Sequence, residues 1–172
     1  MIEEKFIEIS EELNCNYRQE NTKYNNVLSG SNLPVTDHYL EIEYKDSFIN
    51  LSYEFGSQNI AEIITEIELK QPKEDFEIST RSHFKRLFVQ NKSPWKIKNS
   101  NPVLKGKILK LLEESKLTEI ANESTFEPLI KGKGTKNRFE LTTRYSLAFE
   151  NKEESILPII NLNKRIIDLL LE

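Results

Sequence analysis

Cysteine is almost missing from this chain: Cys15 is the only one in 172 residues. A single thiol cannot close an internal disulfide or furnish a thiolate-rich metal site, so an oxidising compartment is not implied. Histidine is nearly as scarce. His38 and His83 stand apart, and neither has a second His or Cys at ligand spacing, which removes the usual zinc arrangements. No metal and no cofactor is expected. No apolar run approaches the roughly 20 residues needed to span a bilayer. The opening residues, MIEEKFIEISEELN, are acidic where a signal peptide is basic. The expectation is a soluble cytoplasmic protein with no membrane partner.

Another absence is local. No acidic side chain occurs between Glu77 and Glu113, in a chain that is acidic elsewhere. Residues 1–77 hold 17 acids and 6 bases, and residues 113–172 hold 11 acids and 9 bases. The stretch between them holds nine bases: Arg81, Lys85, Arg86, Lys92, Lys96, Lys98, Lys105, Lys107 and Lys110. Segregated charge of this kind makes a positive surface on a negative protein, and such a surface attracts anions. Phe84, Phe88 and Trp95 interleave with these cations. Aromatics beside cations also serve single-stranded nucleic acid sites, by stacking and phosphate neutralisation. The pI of about 5.5 argues against a dedicated nucleic-acid binder.

Catalytic motifs are not found. Cys15 lies near the end of a predicted helix, where the dipole raises a thiol pKa rather than lowering it. No serine sits in a G-x-S-x-G elbow. Lys131–Lys136 (KGKGTK) lacks the spacing of a phosphate-binding P-loop, and a strand rather than a helix is predicted after it. It reads as a flexible basic hairpin tip, which joins the positive surface if the fold brings it close.

What is present predicts one α+β domain over residues 1–172. Ile2, Phe6, Ile9 and Leu13 recur at helical spacing and predict a helix over 2–17. Arg18–Thr36 is rich in Asn and reads as a loop, with a short strand near Val27. Tyr39–Leu69 alternates and reads as a meander, its last member (Ile60–Leu69) a strand on β-branched density. Phe76–Thr80 and Pro94–Lys98 look extended, and Ser82–Val89 fits a short helix or a continuation. Asn101-Pro102 starts a middle helix. Phe126–Ile130 and Phe139–Phe149 read as strands, and an apolar stripe predicts a terminal helix over 153–171. The sum is an antiparallel, meander-rich sheet of about five to seven strands, with N-terminal, middle and C-terminal helices mainly on one face.

The functional expectation is a non-catalytic binding protein of the inhibitor, immunity or adaptor kind. Its surface would comprise Arg81, Lys85, Arg86, Lys92, Trp95, Lys96, Lys98, Lys105 and Lys107. The expected partner is a protein with an acidic surface. An anionic ligand or single-stranded nucleic acid on the same surface is the alternative. An enzyme whose carboxylates meet only in the fold is the second alternative. Pairing of the acidic and basic segments, within the chain or across a homodimer, is the other use of such a charge split.

Overall fold

A computed structural model describes residues 1–26, 30–81 and 93–172. Among these residues the chain runs α1 (Ile2–Leu13), β1 (Asn16–Asn26), β2 (Ser31–Tyr44), β3 (Ser47–Phe55), β4 (Ile60–Glu68), β5 (Phe76–Thr80), β6 (Trp95–Lys98), α2 (Pro102–Glu113), α3 (Leu117–Glu123), β7 (Leu129–Gly134), β8 (Arg138–Ser146) and α4 (Ile156–Leu171). A 3₁₀ turn at Lys152–Ser155 leads into α4. The strands form one sheet in the order β1-β2-β3-β4-β8-β7-β5-β6, and every neighbouring pair is antiparallel. The α+β class and helix positions match expectation, and the sheet has eight strands rather than five to seven.

Alternation along the strands decides which face is covered. In β3, Ser47, Ile49, Leu51 and Tyr53 are buried while Phe48 and Asn50 are exposed. The registers put Leu40, Leu51, Ile63, Thr143, Ile130, Ile78 and Ile97 in one row across seven strands. On this face lie α1 through Phe6 and Ile9, α2 through Ile108 and Leu112, and α4 through Ile159, Ile160, Ile166 and Ile167. The stripe on α4 is therefore consumed within the chain. Tyr44 donates to Asp168 (2.9 Å) and Lys45 pairs with it (2.5 Å), which pins the β2–β3 turn to α4. None of the described helices is long and apolar enough to cross a membrane.

Several boundaries differ from the sequence reading. Helix α1 stops at Leu13 because Asn14 takes the left-handed conformation (φ 49°), which Asn tolerates better than most residues. Tyr17 belongs to β1. The expected loop 18–36 is instead a long hairpin, with eleven paired positions from Asn16↔Glu41 to Asn26↔Ser31. Val27 lies outside the described residues, as does all of 82–89. Strand β7 begins at Leu129 and runs through Lys131–Gly134, so only the Thr135–Asn137 turn remains of the expected basic loop. Gly132 is required there: a Cβ would lie 2.6 Å from the rings of both Phe76 and Phe139. Asn101 caps α2 as expected, accepting from the Val103 (2.9 Å) and Leu104 (3.2 Å) amides.

Three buried hydroxyls link the sheet to the start of α4. Ser155 Oγ donates to the Lys152 carbonyl (2.7 Å), so it receives from Tyr53 (3.3 Å), and Tyr53 in turn receives from Tyr145. Burial pushes both phenols up, Tyr145 to about 12. The direction of this chain predicts unequal costs. Tyr53→Phe strands a buried donor on Tyr145 and empties an acceptor on Ser155, and is expected to cost about 2 kcal/mol. Tyr145→Phe removes only the first donor and is expected to cost about 1 kcal/mol. Urea unfolding of the two variants checks the order, and equal losses would contradict the donor assignment.

Candidate functional site

The sheet's other face has exposed or half-buried residues at Glu41, Asn50, Ile64, Thr142, Lys131, Glu77 and Lys98, one row spanning seven strands. Acids dominate its β2–β4 part, and lysines gather at the β7-β5-β6 end. Strand β5 causes the gathering. It pairs with β6 on one side and β7 on the other, so Glu77 faces Lys98 across one ladder and Lys131 across the next. Ser79 faces Lys96, and Lys133 lies two residues beyond Lys131 on the same face of β7. Lys98 Nζ is 2.6 Å from the Glu77 carboxylate. That hydrogen bond, together with the charges of Lys98, Lys131 and Lys96, holds the Glu77 carboxyl below its ordinary value against the opposing effect of burial. Lys98, Lys131, Lys133 and Asp75 line a shallow hollow of about 280 Å³ over this corner.

The expected site residues are not all brought together. Lys96 and Lys98 stand on the bare face. Arg81, exposed at the end of β5, donates its backbone N–H to Pro94 (2.7 Å) and prolongs the ladder. Lys105 and Lys107 project from α2 in the helix layer, on the opposite side of the sheet. Lys107 is paired there with Glu172 (2.7 Å). Lys110, also on α2, is 3.9 Å from Glu114, which Arg165 contacts as well. Lys85, Arg86 and Lys92 lie outside the described residues, together with His83, Phe84 and Phe88.

Trp95 is withdrawn from the surface altogether. It is 3% exposed, points into the helix layer and donates from Nε1 to the Thr118 hydroxyl (2.9 Å). Thr118 passes the bond to the Leu112 carbonyl (2.7 Å), so the tryptophan ties β6 to both α2 and α3. A ring held this way cannot stack on a base. The residues that sequence reasoning set aside are Lys131 and Lys133. Their contribution was conditional on the fold, and the β5–β7 pairing supplies the condition.

Asp37 and His38, neighbours in sequence, lie on opposite faces of β2. Alternation sends Asp37 to the bare face, beside Glu20 and Glu54 in the neighbouring strands. Burial and those two charges raise its pKa. His38 is 3% exposed on the helix side, among Phe6, Tyr17, Tyr53 and Phe55, with Nδ1 2.8 Å from the Tyr17 hydroxyl. Cys15 is half-buried, and burial raises its thiol pKa, the reverse of activation. Among the described residues, no three His, Cys, Asp or Glu side chains form a group suited to a metal ion.

Compared with protein-family models, with curated proteins and with solved structures, the chain gives no match.

The buried imidazole has a measurable consequence. Burial lowers the His38 pKa from its ordinary 6.5, opposed in part by the charge of Glu3. As pH falls through that value, the unfolded chain takes up a proton that the folded chain still refuses. Stability is therefore expected to fall as pH drops through about 6.5, and to level off below the folded pKa. His38→Asn is expected to flatten this slope in thermal unfolding. The raised Asp37 pKa acts with the opposite sign, but nearer the carboxylate range. An unchanged slope in the variant would show that His38 is not its source.

Proposed function

We propose that this chain is a non-catalytic binding protein that engages an acidic protein surface through the corner formed by Lys96, Lys98, Lys131 and Lys133. The supporting observation is the convergence of three lysines on the single carboxylate of Glu77. Two elements remote in sequence meet there on a face that no described helix covers, where four lysines stand among Glu77, Asp75 and Glu140. Internal pairing, the ordinary fate of such a stretch, accounts for Lys98, Lys107 and Lys110, whereas Lys96, Lys131 and Lys133 make no ion pair among the described residues.

The two alternatives draw less support. A single-stranded nucleic acid site needs stacking platforms beside its cations, and Trp95 is held in the core. A catalytic reading finds its best cavity in a groove of about 610 Å³ between α1, α3 and α4, lined in part by Glu114, Glu119, Glu123 and Glu154. All four are exposed. The Glu114 carboxyl is shifted downward by Arg165, where a general acid needs a raised value.

A triple variant, Lys96→Glu, Lys131→Glu and Lys133→Glu, tests the assignment. It spares Lys98 and its pair with Glu77. Wild-type protein is expected to bind an acidic polypeptide such as polyglutamate at low salt and to release it as salt rises. The variant is expected to keep its circular dichroism and to bind at least about tenfold more weakly. Absence of wild-type binding at low salt would overturn the proposal. A clear preference for a single-stranded oligonucleotide, with a steep salt slope, would favour the alternative.

A further inference from the structure

A sheet that ends in open strands must keep its edges from pairing indiscriminately. The two ends of this sheet are treated differently. Strand β6 is four residues long, follows Pro94 and carries Lys96 and Lys98. All three features discourage a further strand. The overhang of β2 beyond β3, residues 31–35, contains Pro34, which lacks an N–H. The Pro34 carbonyl is also closely packed against Gly56, where a Cβ would lie 2.2 Å from its oxygen. Strand β1 is neither short nor interrupted by proline, although it carries Arg18, Glu20 and Lys23. It is eleven residues long and without proline, and its register with β2 runs unbroken. No described residue pairs with its outer edge.

The distal part of the hairpin heightens this asymmetry. Residues 21–26 pair with 31–36, and β3 backs only the last of these, Thr36. Beyond that point the hairpin is a two-stranded ribbon. Tyr24 and Leu33 face each other on it, 53% and 38% exposed. A ribbon of two strands is marginal in water, and a third strand sharing an apolar face supports it. The β2 side is closed by Pro34 and Gly56, so the third strand has one place to go.

We propose that β1 pairs antiparallel with β1 of a second copy of this chain, about a two-fold axis at Thr22, to make one continuous sheet. The choice of a second copy rests on self-complementarity. An isologous pairing centred on Thr22 sets Thr22 against Thr22, Asn21 against Lys23, Glu20 against Tyr24 and Gln19 against Asn25. None of the three charged residues, Arg18, Glu20 and Lys23, lies directly opposite a like charge, and Thr–Thr is a favourable cross-strand pair. Tyr24 falls diagonal to Arg18, whose guanidinium already covers the Tyr39 ring at 4.6 Å. The two copies of the Glu20–Asp37–Glu54 row stay about four residues apart, roughly 13 Å along the strands. The dimer uses backbone groups at the sheet edge, so it stands or falls separately from the basic corner at the other end.

Sedimentation of the full chain provides the test. Wild type is expected to show a concentration-dependent dimer. Thr22→Lys and Thr22→Glu each place like charges across the axis, and each is expected to be monomeric with an unchanged circular dichroism spectrum. An equimolar mixture of the two variants is expected to dimerise again, because opposite charges then meet. A wild type that stays monomeric at high micromolar concentration would overturn the proposal. Single variants that dimerise as wild type does, or a mixture that stays monomeric, would overturn it too.

Discussion

One-sided burial governs this molecule. An antiparallel sheet whose apolar residues occupy alternate positions has one face to hide and one to show. Here the hidden face runs across the whole sheet and takes three helices. The row from Leu40 to Ile97 crosses seven strands with a single polar member, Thr143. A register slip of one residue in any of these strands would exchange that row for charged neighbours such as Glu41, Glu62 and Arg144. The cost of such a slip locks the registers. The locked registers determine which charged residues become neighbours on the other face.

The basic corner is a product of topology more than of composition. A run of nine cations in sequence is divided at the turn from β6 into α2. Lys96 and Lys98 stay on the sheet, while Lys105, Lys107 and Lys110 cross to the helix layer. Two of those three then meet carboxylates near the chain's end or along α2 itself. What the sheet loses from one segment it recovers from another, because β7 inserts beside β5. Trp95 has the opposite fate from its lysine neighbours for the same reason. Alternation in a four-residue strand puts Trp95 and Ile97 inward and Lys96 and Lys98 outward.

Much of this architecture could be read from residues. The alternation in β3 and the stripe on α4 announce themselves, and Asn101-Pro102 marks the start of α2 because the cap chemistry is local. The branched side chains of Ile60–Leu69 point to a strand although Ile60, Ile63, Ile64 and Ile67 also fit a helix, and the strand runs Ile60–Glu68. The failures share one cause, which is pairing between segments. Strand β1 is mostly Asn, Gln and charged residues, poor strand formers with little to bury. It is a strand because β2 offers a ladder of eleven positions. Lys131–Gly134 looked like a loop because glycine and lysine dominate it, yet Gly132 is the place where two phenylalanine rings need room. The corner itself required β5 to lie between β6 and β7, and no single sequence displays that order.

The contrast between the two sheet edges follows from the same physics. Edge protection costs something: proline gives up a hydrogen bond, and outward lysines bury little. Strand β6 accepts that cost in a segment only four residues long. Strand β1 has almost three times the length and carries Tyr24 outward instead. Its polar composition gives little incentive to stay extended unless both edges are used. Pairing to β2 satisfies alternate backbone groups, and the remainder face water or another strand. Over residues 16–20, α1 and the aromatic cluster at Tyr17 hold the strand down. Over residues 21–26 that anchorage is gone. The part of β1 least supported by its own fold is therefore the part where the gain from a neighbouring strand is largest.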